Sequence, residues 1–167
     1  VTMPLPPGER VLWEGSPTAG ALLRHLLHVR LVAGYFAAML VLWAVQAWGT
    51  ASTPDFLRRL GAFAGLSLLP LAFAWLYARE IARTTTYAIT DRRVVIRLGV
   101  VFTMVLNLPH KLIASAGLRR FRDGTGQVAI ELAPGERVAY IALWPHCRVT
   151  KLNRPVPLLR GLTDPEQ

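Results

Sequence analysis

The sequence predicts an α+β membrane protein, a two-helix transmembrane hairpin followed by a small antiparallel β-sandwich or barrel. Three observations predict it. Residues 31–49 and 60–78 are each 19 residues long and contain no Asp, Glu, Lys or Arg. At about 1.5 Å per residue, each comes close to spanning the ~30 Å hydrocarbon core of a bilayer. Ten residues separate them, among them Pro54, Asp55, Arg58 and Arg59, which is short enough to force an antiparallel hairpin. After Arg83 the apolar period changes from 3.6 to 2, and turn signals recur along the rest of the chain.

Three domains follow in order. Residues 1–17 read as an irregular arm, because Pro4, Pro6 and Pro7 disfavour a helix; residues 11–13 suit a short strand. Residues 18–78 form the helical part. Ser16-Pro17-Thr18 can cap a helix whose stripe is Leu22, Leu23, Leu26 and Leu27, with Arg24, His25 and His28 off the stripe. This reads as an interfacial helix running into the first span. Trp48 suits the far interface, and Trp75 and Tyr77 the near one. Gly34 and Ala38, and Gly61 and Gly65, are small residues at i, i+4 spacing that permit close helix packing, within the hairpin or against another protein's helix. Pro70 is expected to bend the second span.

Residues 79–167 form the β domain. Strands are expected at 85–90, 93–98, 100–108, 115–122, 127–132 and 138–144, with turns at Asp91-Arg92, Asp123-Gly124-Thr125-Gly126 and Pro134-Gly135-Glu136. The final run, Thr163-Asp164-Pro165-Glu166-Gln167, has the order of a helix start, so a closing helix is expected beyond it.

Charge is uneven. Residues 1–78 carry five basic and three acidic groups, and residues 79–167 carry fourteen and seven. A basic domain beside a bilayer points to anionic membrane lipid or an acidic protein face, and not to nucleic acid. Arg24, Arg30, Arg79, Arg83, Arg92, Arg93 and Arg97 flank the outer ends of the spans, against Arg58 and Arg59 between them. The excess places both termini in the cytoplasm. The single cysteine, Cys147, fits a reducing compartment. The sequence holds no phosphate-binding glycine loop ending in Lys-Ser/Thr, no His-Glu-x-x-His, no cysteine pair and no nucleophile elbow, so no enzymatic activity and no metal site are expected.

Two segments carry a resemblance. Leu5-Pro6-Pro7-Gly8-Glu9-Arg10-Val11-Leu12-Trp13-Glu14-Gly15-Ser16-Pro17 resembles the leader of bacterial membrane proteins with a pleckstrin-homology-like (PH-like) domain. Thr86-Tyr87-Ala88-Ile89-Thr90-Asp91-Arg92-Arg93-Val94-Val95-Ile96-Arg97-Leu98-Gly99 resembles that domain's opening hairpin. Tyr140-Ile141-Ala142-Leu143-Trp144-Pro145-His146, Arg154-Pro155, Leu158-Leu159-Arg160 and the turn at Asp123 together resemble the PuhB family of photosynthetic-complex assembly proteins in purple-type bacteria. The resemblance covers nearly all of the chain. It implies a PH-like sheet closed by a C-terminal helix. It also implies an assembly factor or accessory scaffold in the photosynthetic inner membrane, with the reaction-centre H subunit or core light-harvesting polypeptides as partners. The alternative is a membrane-anchored PH-like lipid-binding or sensor protein unrelated to photosynthesis.

Against that background several residues stand out. His25 and His28, at i, i+3 on one helix near a membrane surface, are either pigment ligands for bacteriochlorophyll magnesium or polar-face residues at headgroup level. Arg119, Arg120 and Arg122, read beside Arg92, Arg93 and Arg97, form either a solvated face or a partner-docking run. Trp144 is a contact residue or a core residue. His146 is read as a surface or interface residue, and Cys147 as packing.

Overall fold

A computed structural model describes residues 6, 8–50, 52–99, 103–135, 144–148 and 155–163. The elements are β1 (Val11–Gly15), α1 (Ala19–His25), α2 (Val29–Ala47), α3 (Thr53–Thr84), β2 (Thr86–Thr90), β3 (Arg93–Leu98), β4 (Met104–Pro109), β5 (Ile113–Arg120), β6 (Gly126–Leu132), β7 (Cys147–Arg148) and β8 (Val156–Leu162). A 3-10 turn, His110–Leu112, links β4 to β5.

The strands form two antiparallel sheets, ordered β1-β2-β3-β4 and β5-β6-β8-β7. Period-2 alternation builds the core between them. Val94, Ile96 and Leu98 of β3 join Tyr87, Leu108, Ile130, Leu159 and Leu162, so both sheets contribute. The turn at Asp91-Arg92 pairs Thr86 with Arg97 and Ile89 with Val94, the register the alternation demands.

The domain boundaries expected from the sequence need correction at both ends. Residues 11–15 are not irregular: the short strand expected at 11–13 extends to Gly15, and β1 pairs along β2 as the edge strand of the first sheet. The preceding leader is fastened too: Glu9 accepts from Arg93 through both carboxylate oxygens at 2.8 and 2.7 Å, and from the Thr90 hydroxyl at 2.7 Å. Residues 79–84 belong to α3 and not to the β domain. β8 had no counterpart among the expected strands. The strand candidate at 138–144 lies outside the described residues except for Trp144, as do positions 164–167 of the helix start.

α2 and α3 are each long and apolar enough to cross a membrane. α3 starts on Ser52, with proline in its first turn and the Ser52 hydroxyl donating to Asp55 at 2.9 Å. It runs without a break through Pro70 to Thr84, and β2 begins two residues later.

The helical segment expected to run on from α1 into the first span is broken. The Leu22 carbonyl accepts from both Leu26 and Leu27, and His28 takes a left-handed conformation at φ 49° before α2 begins. The turn frees α1 from the axis of α2 and brings Leu22, 1% exposed, against Ala78 and Ile81 of α3. The leucine stripe therefore faces the end of α3, with Leu23, Leu26 and Leu27 at its margin. The interface between α2 and α3 also differs from expectation. Gly34, Ala38, Gly61 and Gly65 are all exposed, and a Cβ built on any of the three glycines meets nothing within 4 Å. The half-buried positions are others, among them Phe36, Leu40, Trp43 and Ala44 on α2 and Phe56, Phe63 and Ala64 on α3. The four residues singled out by their spacing do not pack the hairpin.

Candidate functional site

The chemistry-bearing side chains gather where the helices meet the sheets. One cluster joins α1 to the β5–β6 turn. Arg24 and His25 occupy the last turn of α1, where the helix dipole favours positive charge. Both reach the same Asp123 oxygen at 2.9 Å. The His25 ring stacks on Phe121 with centroids 3.7 Å apart, and the Arg119 guanidinium lies 5.4 Å from the centroid of the same Phe121 ring. Asp123 also accepts from the Thr125 hydroxyl at 2.7 Å and the Thr125 amide at 3.2 Å, closing the turn. The Thr125 hydroxyl, then His25, hold its carboxyl well below the usual carboxylate range.

A second cluster is buried between the end of α3, β2, β7 and β8. Thr85 follows the last turn of α3, Tyr87 points inward from β2, and His146 precedes β7. The Tyr87 hydroxyl lies 2.7 Å from His146 Nδ1, and the Arg160 amide donates to that hydroxyl at 3.1 Å. His146 Nε2 lies 3.4 Å from the Thr85 hydroxyl. Each ring nitrogen of the imidazole thus faces a hydroxyl partner, Tyr87 at Nδ1 and Thr85 at Nε2. Burial, reinforced by the Arg160 charge, pushes its pKa down to about 3. Arg160 donates from Nη2 to the Cys147 carbonyl at 2.9 Å, while its buried Nε has no hydrogen-bond partner among the described residues. Burial pushes the Tyr87 hydroxyl and the Cys147 thiol up and the Arg160 guanidinium down.

A shared backbone contact ties α1 to this layer. The Thr18 amide donates to the Gly161 carbonyl at 3.0 Å. Gly161 sits at φ 68°, and a Cβ there would stand 3.2 Å from the Thr18 nitrogen and 3.3 Å from the side chains of Pro17 and Ala21. Only glycine meets both requirements without strain.

The expected site residues separate. His146 is 1% exposed and fully engaged inside the protein, so the surface reading is corrected. It precedes a two-residue strand, so strand alternation does not govern it, and both it and Cys147 are buried. His25 ends α1 whereas His28 precedes α2, so the two do not share one helix face. His25 is committed to Asp123, and His28 Nδ1 lies 3.1 Å from the Leu26 carbonyl. This arrangement does not assemble them into a pigment-ligand pair. Arg119 and Arg120 are exposed on β5, where neighbours alternate between faces, and Arg122 is exposed in the following turn. Arg93 belongs to the other sheet and is held by Glu9. Trp144 is 54% exposed and its ring lies 6.1 Å from Tyr77. Among the described residues, no three His, Cys, Asp or Glu side chains form a metal-binding group.

Sequence reasoning missed the roles of Tyr87, Thr85 and Arg160. A tyrosine at an inward β2 position was visible in the alternation; its polar partners come from segments 59 and 73 residues away.

Comparison with known proteins gives two matches. A family described as bacterial PH domain matches residues 20–154. An uncharacterized 23.7 kDa protein in the puhA 5' region of Rhodobacter capsulatus is 31% identical over 182 residues, covering 100% of this chain and 79% of that protein. No solved structure matches.

Proposed function

The chain belongs to the bacterial PH domain family, and from that premise we propose that it is a non-enzymatic, membrane-anchored assembly factor or accessory scaffold for the photosynthetic reaction centre and its core light-harvesting complex. The observation that carries the reading is the 31% identity, along the whole of this chain and 79% of the relative, to a protein from the puhA 5' region, a photosynthesis gene region. The fold supports it in kind. Two apolar helices supply a bilayer anchor, and the sheets, bonded to α1 and continuous with α3, supply a body held beside it. Confinement to one membrane patch raises the effective concentration of a partner without further chemistry.

In this reading α2 and α3 span the inner membrane, and both termini lie on the cytoplasmic side. The partner surface is the exposed β5 edge with Arg119, Arg120 and Arg122. It meets an acidic, membrane-proximal segment of the reaction-centre H subunit or of a core antenna polypeptide. Edge placement and positive charge support that choice.

The test is affinity purification of the tagged full-length protein from pigmented membranes, with identification of what is retained. Reaction-centre or antenna subunits are expected, with capture weakened by Arg119→Glu combined with Arg122→Glu. Deleting the gene should lower accumulation of the complex. Normal accumulation together with no retained photosynthetic subunit would overturn the proposal and favour the lipid-sensor alternative.

A further inference from the structure

Trp144 is the one exposed tryptophan among the described residues of the sheets and their connecting loops; its followers Pro145, His146 and Cys147 are all buried. It does not stand in open solvent space at random. Its ring lies 6.1 Å from Tyr77 of α3, and Tyr77 in turn stacks parallel to Phe73 at 6.3 Å. Phe73, Tyr77 and Trp144 make a short aromatic ladder that climbs from the apolar part of α3 to the sheets.

The level at which this ladder ends matters. Below it, α3 exposes Leu66, Leu68, Leu69, Phe73 and Leu76. Above it come Arg79 and Arg83, with Arg79 placed 5.3 Å over the Trp75 ring. The change from exposed leucine to arginine within one or two turns is the boundary between hydrocarbon and headgroup. An exposed indole fits that layer, because its ring is apolar and its N–H needs a polar partner. The nearby charges are also of the right sign: Arg30, Arg79 and Arg83 against Glu80, which is 3.8 Å from Arg83.

We propose that Trp144 is a membrane-interface anchor of the β domain. Its indole inserts into the headgroup and upper acyl layer of an anionic phospholipid surface beside Tyr77. This rests on the reading that α2 and α3 span the bilayer. It adds that the sheets are seated on the lipid through a second, non-helical contact. The contact leaves the β5 edge for the protein partner and gives the domain one fixed face toward the membrane.

The experiment uses the full-length protein in nanodiscs of phosphatidylcholine with a minority of phosphatidylglycerol. Trp144→Phe keeps an aromatic ring against Tyr77, and subtracting its emission from that of the wild type isolates Trp144. In discs whose lipids are brominated near the carbonyl end of the acyl chains, the difference emission should be blue-shifted and roughly halved or lower, with little quenching by acrylamide. A difference emission that acrylamide quenches and brominated lipid does not would overturn the inference. The variant's own emission separates the two levels of the argument, because Trp43 lies within α2. If brominated lipid leaves the Trp144→Phe protein unquenched, the spanning reading itself fails; if it quenches the variant but not the difference, only the anchor fails.

Discussion

Acid should weaken this protein through one imidazole before any carboxylate matters. His146 is enclosed by Thr85, Tyr87, Cys147 and Arg160, with no carboxylate among its hydrogen-bond partners in the described residues. Its pKa falls from an ordinary 6.5 to about 3 on folding. The unfolded chain therefore binds one more proton than the folded chain between those values, and stability rises with pH across that window. The contribution is complete above pH 6.5 and is lost progressively as pH falls toward 3. The slope is about 1.4 kcal/mol per pH unit. Glu9 and Asp123 also have lowered pKa values, but they begin to release stability only below their ordinary values of 4.5 and 3.8. From pH 6.5 to 4.5 the loss attributable to His146 is therefore about 2–3 kcal/mol. For a chain of this size that corresponds to a melting shift of roughly 5–10 °C. The comparison is His146→Asn, whose side-chain oxygen can still accept from Tyr87. Intrinsic-fluorescence melting of both proteins in detergent micelles, over that pH range, gives the slope for each. The wild type should lose more than the variant by the stated amount, and the difference cancels the other histidines. Parallel profiles would refute the reasoning.

Other consequences are equally direct. Tyr87→Phe should cost about 1–3 kcal/mol, since it leaves the Arg160 amide and His146 Nδ1 without a partner; denaturant titration in micelles measures it. Gly161→Ala should destabilise by roughly 1–3 kcal/mol, because it combines a left-handed backbone with a Cβ pressed on α1. Replacing Gly124, which has φ 79° but no neighbour within 4 Å of its Cβ, should cost less in the same melting assay. Leu22→Ala should cost about 2–5 kcal/mol and raise hydrogen exchange in α1 and in the last turns of α3 together. Asp123→Asn should loosen the β5–β6 turn from α1, seen as faster exchange at 121–125 with little change in β2 and β3.

Much of the fold was legible. The two long apolar helices were visible as charge-free runs, and the β2–β3 hairpin as two alternating runs around Asp91-Arg92. The turn at Asp123 was visible as a turn, though its tie to Arg24 and His25 was not, because nothing local marks a contact across 98 residues. β1 was read as a stray strand for the same reason: its partner begins more than seventy residues later. β8 was hidden by Pro155 and Pro157, which argue against a strand when no neighbouring strand is known. The glycine stripes misled for a different cause. α2 and α3 are apolar all round, so hydropathy could not say which face packs, and spacing alone filled the gap. The buried histidine was missed because its burial depends on Tyr87 and Arg160, neither of which lies near it in sequence.

At about 1.5 Å per residue α3 is about 48 Å long, some 18 Å more than a hydrocarbon core. If α3 spans a bilayer through residues 60–78, its six residues 79–84 project about 9 Å beyond the core on the β2 side, and with no loop before β2 they work as a lever arm. Spans answer a thinner bilayer by leaning over, and a lean of about 15° on that arm would carry the sheets sideways by about 2 Å. The reach of this domain along the membrane would then be set by the lipid thickness in which its helices stand.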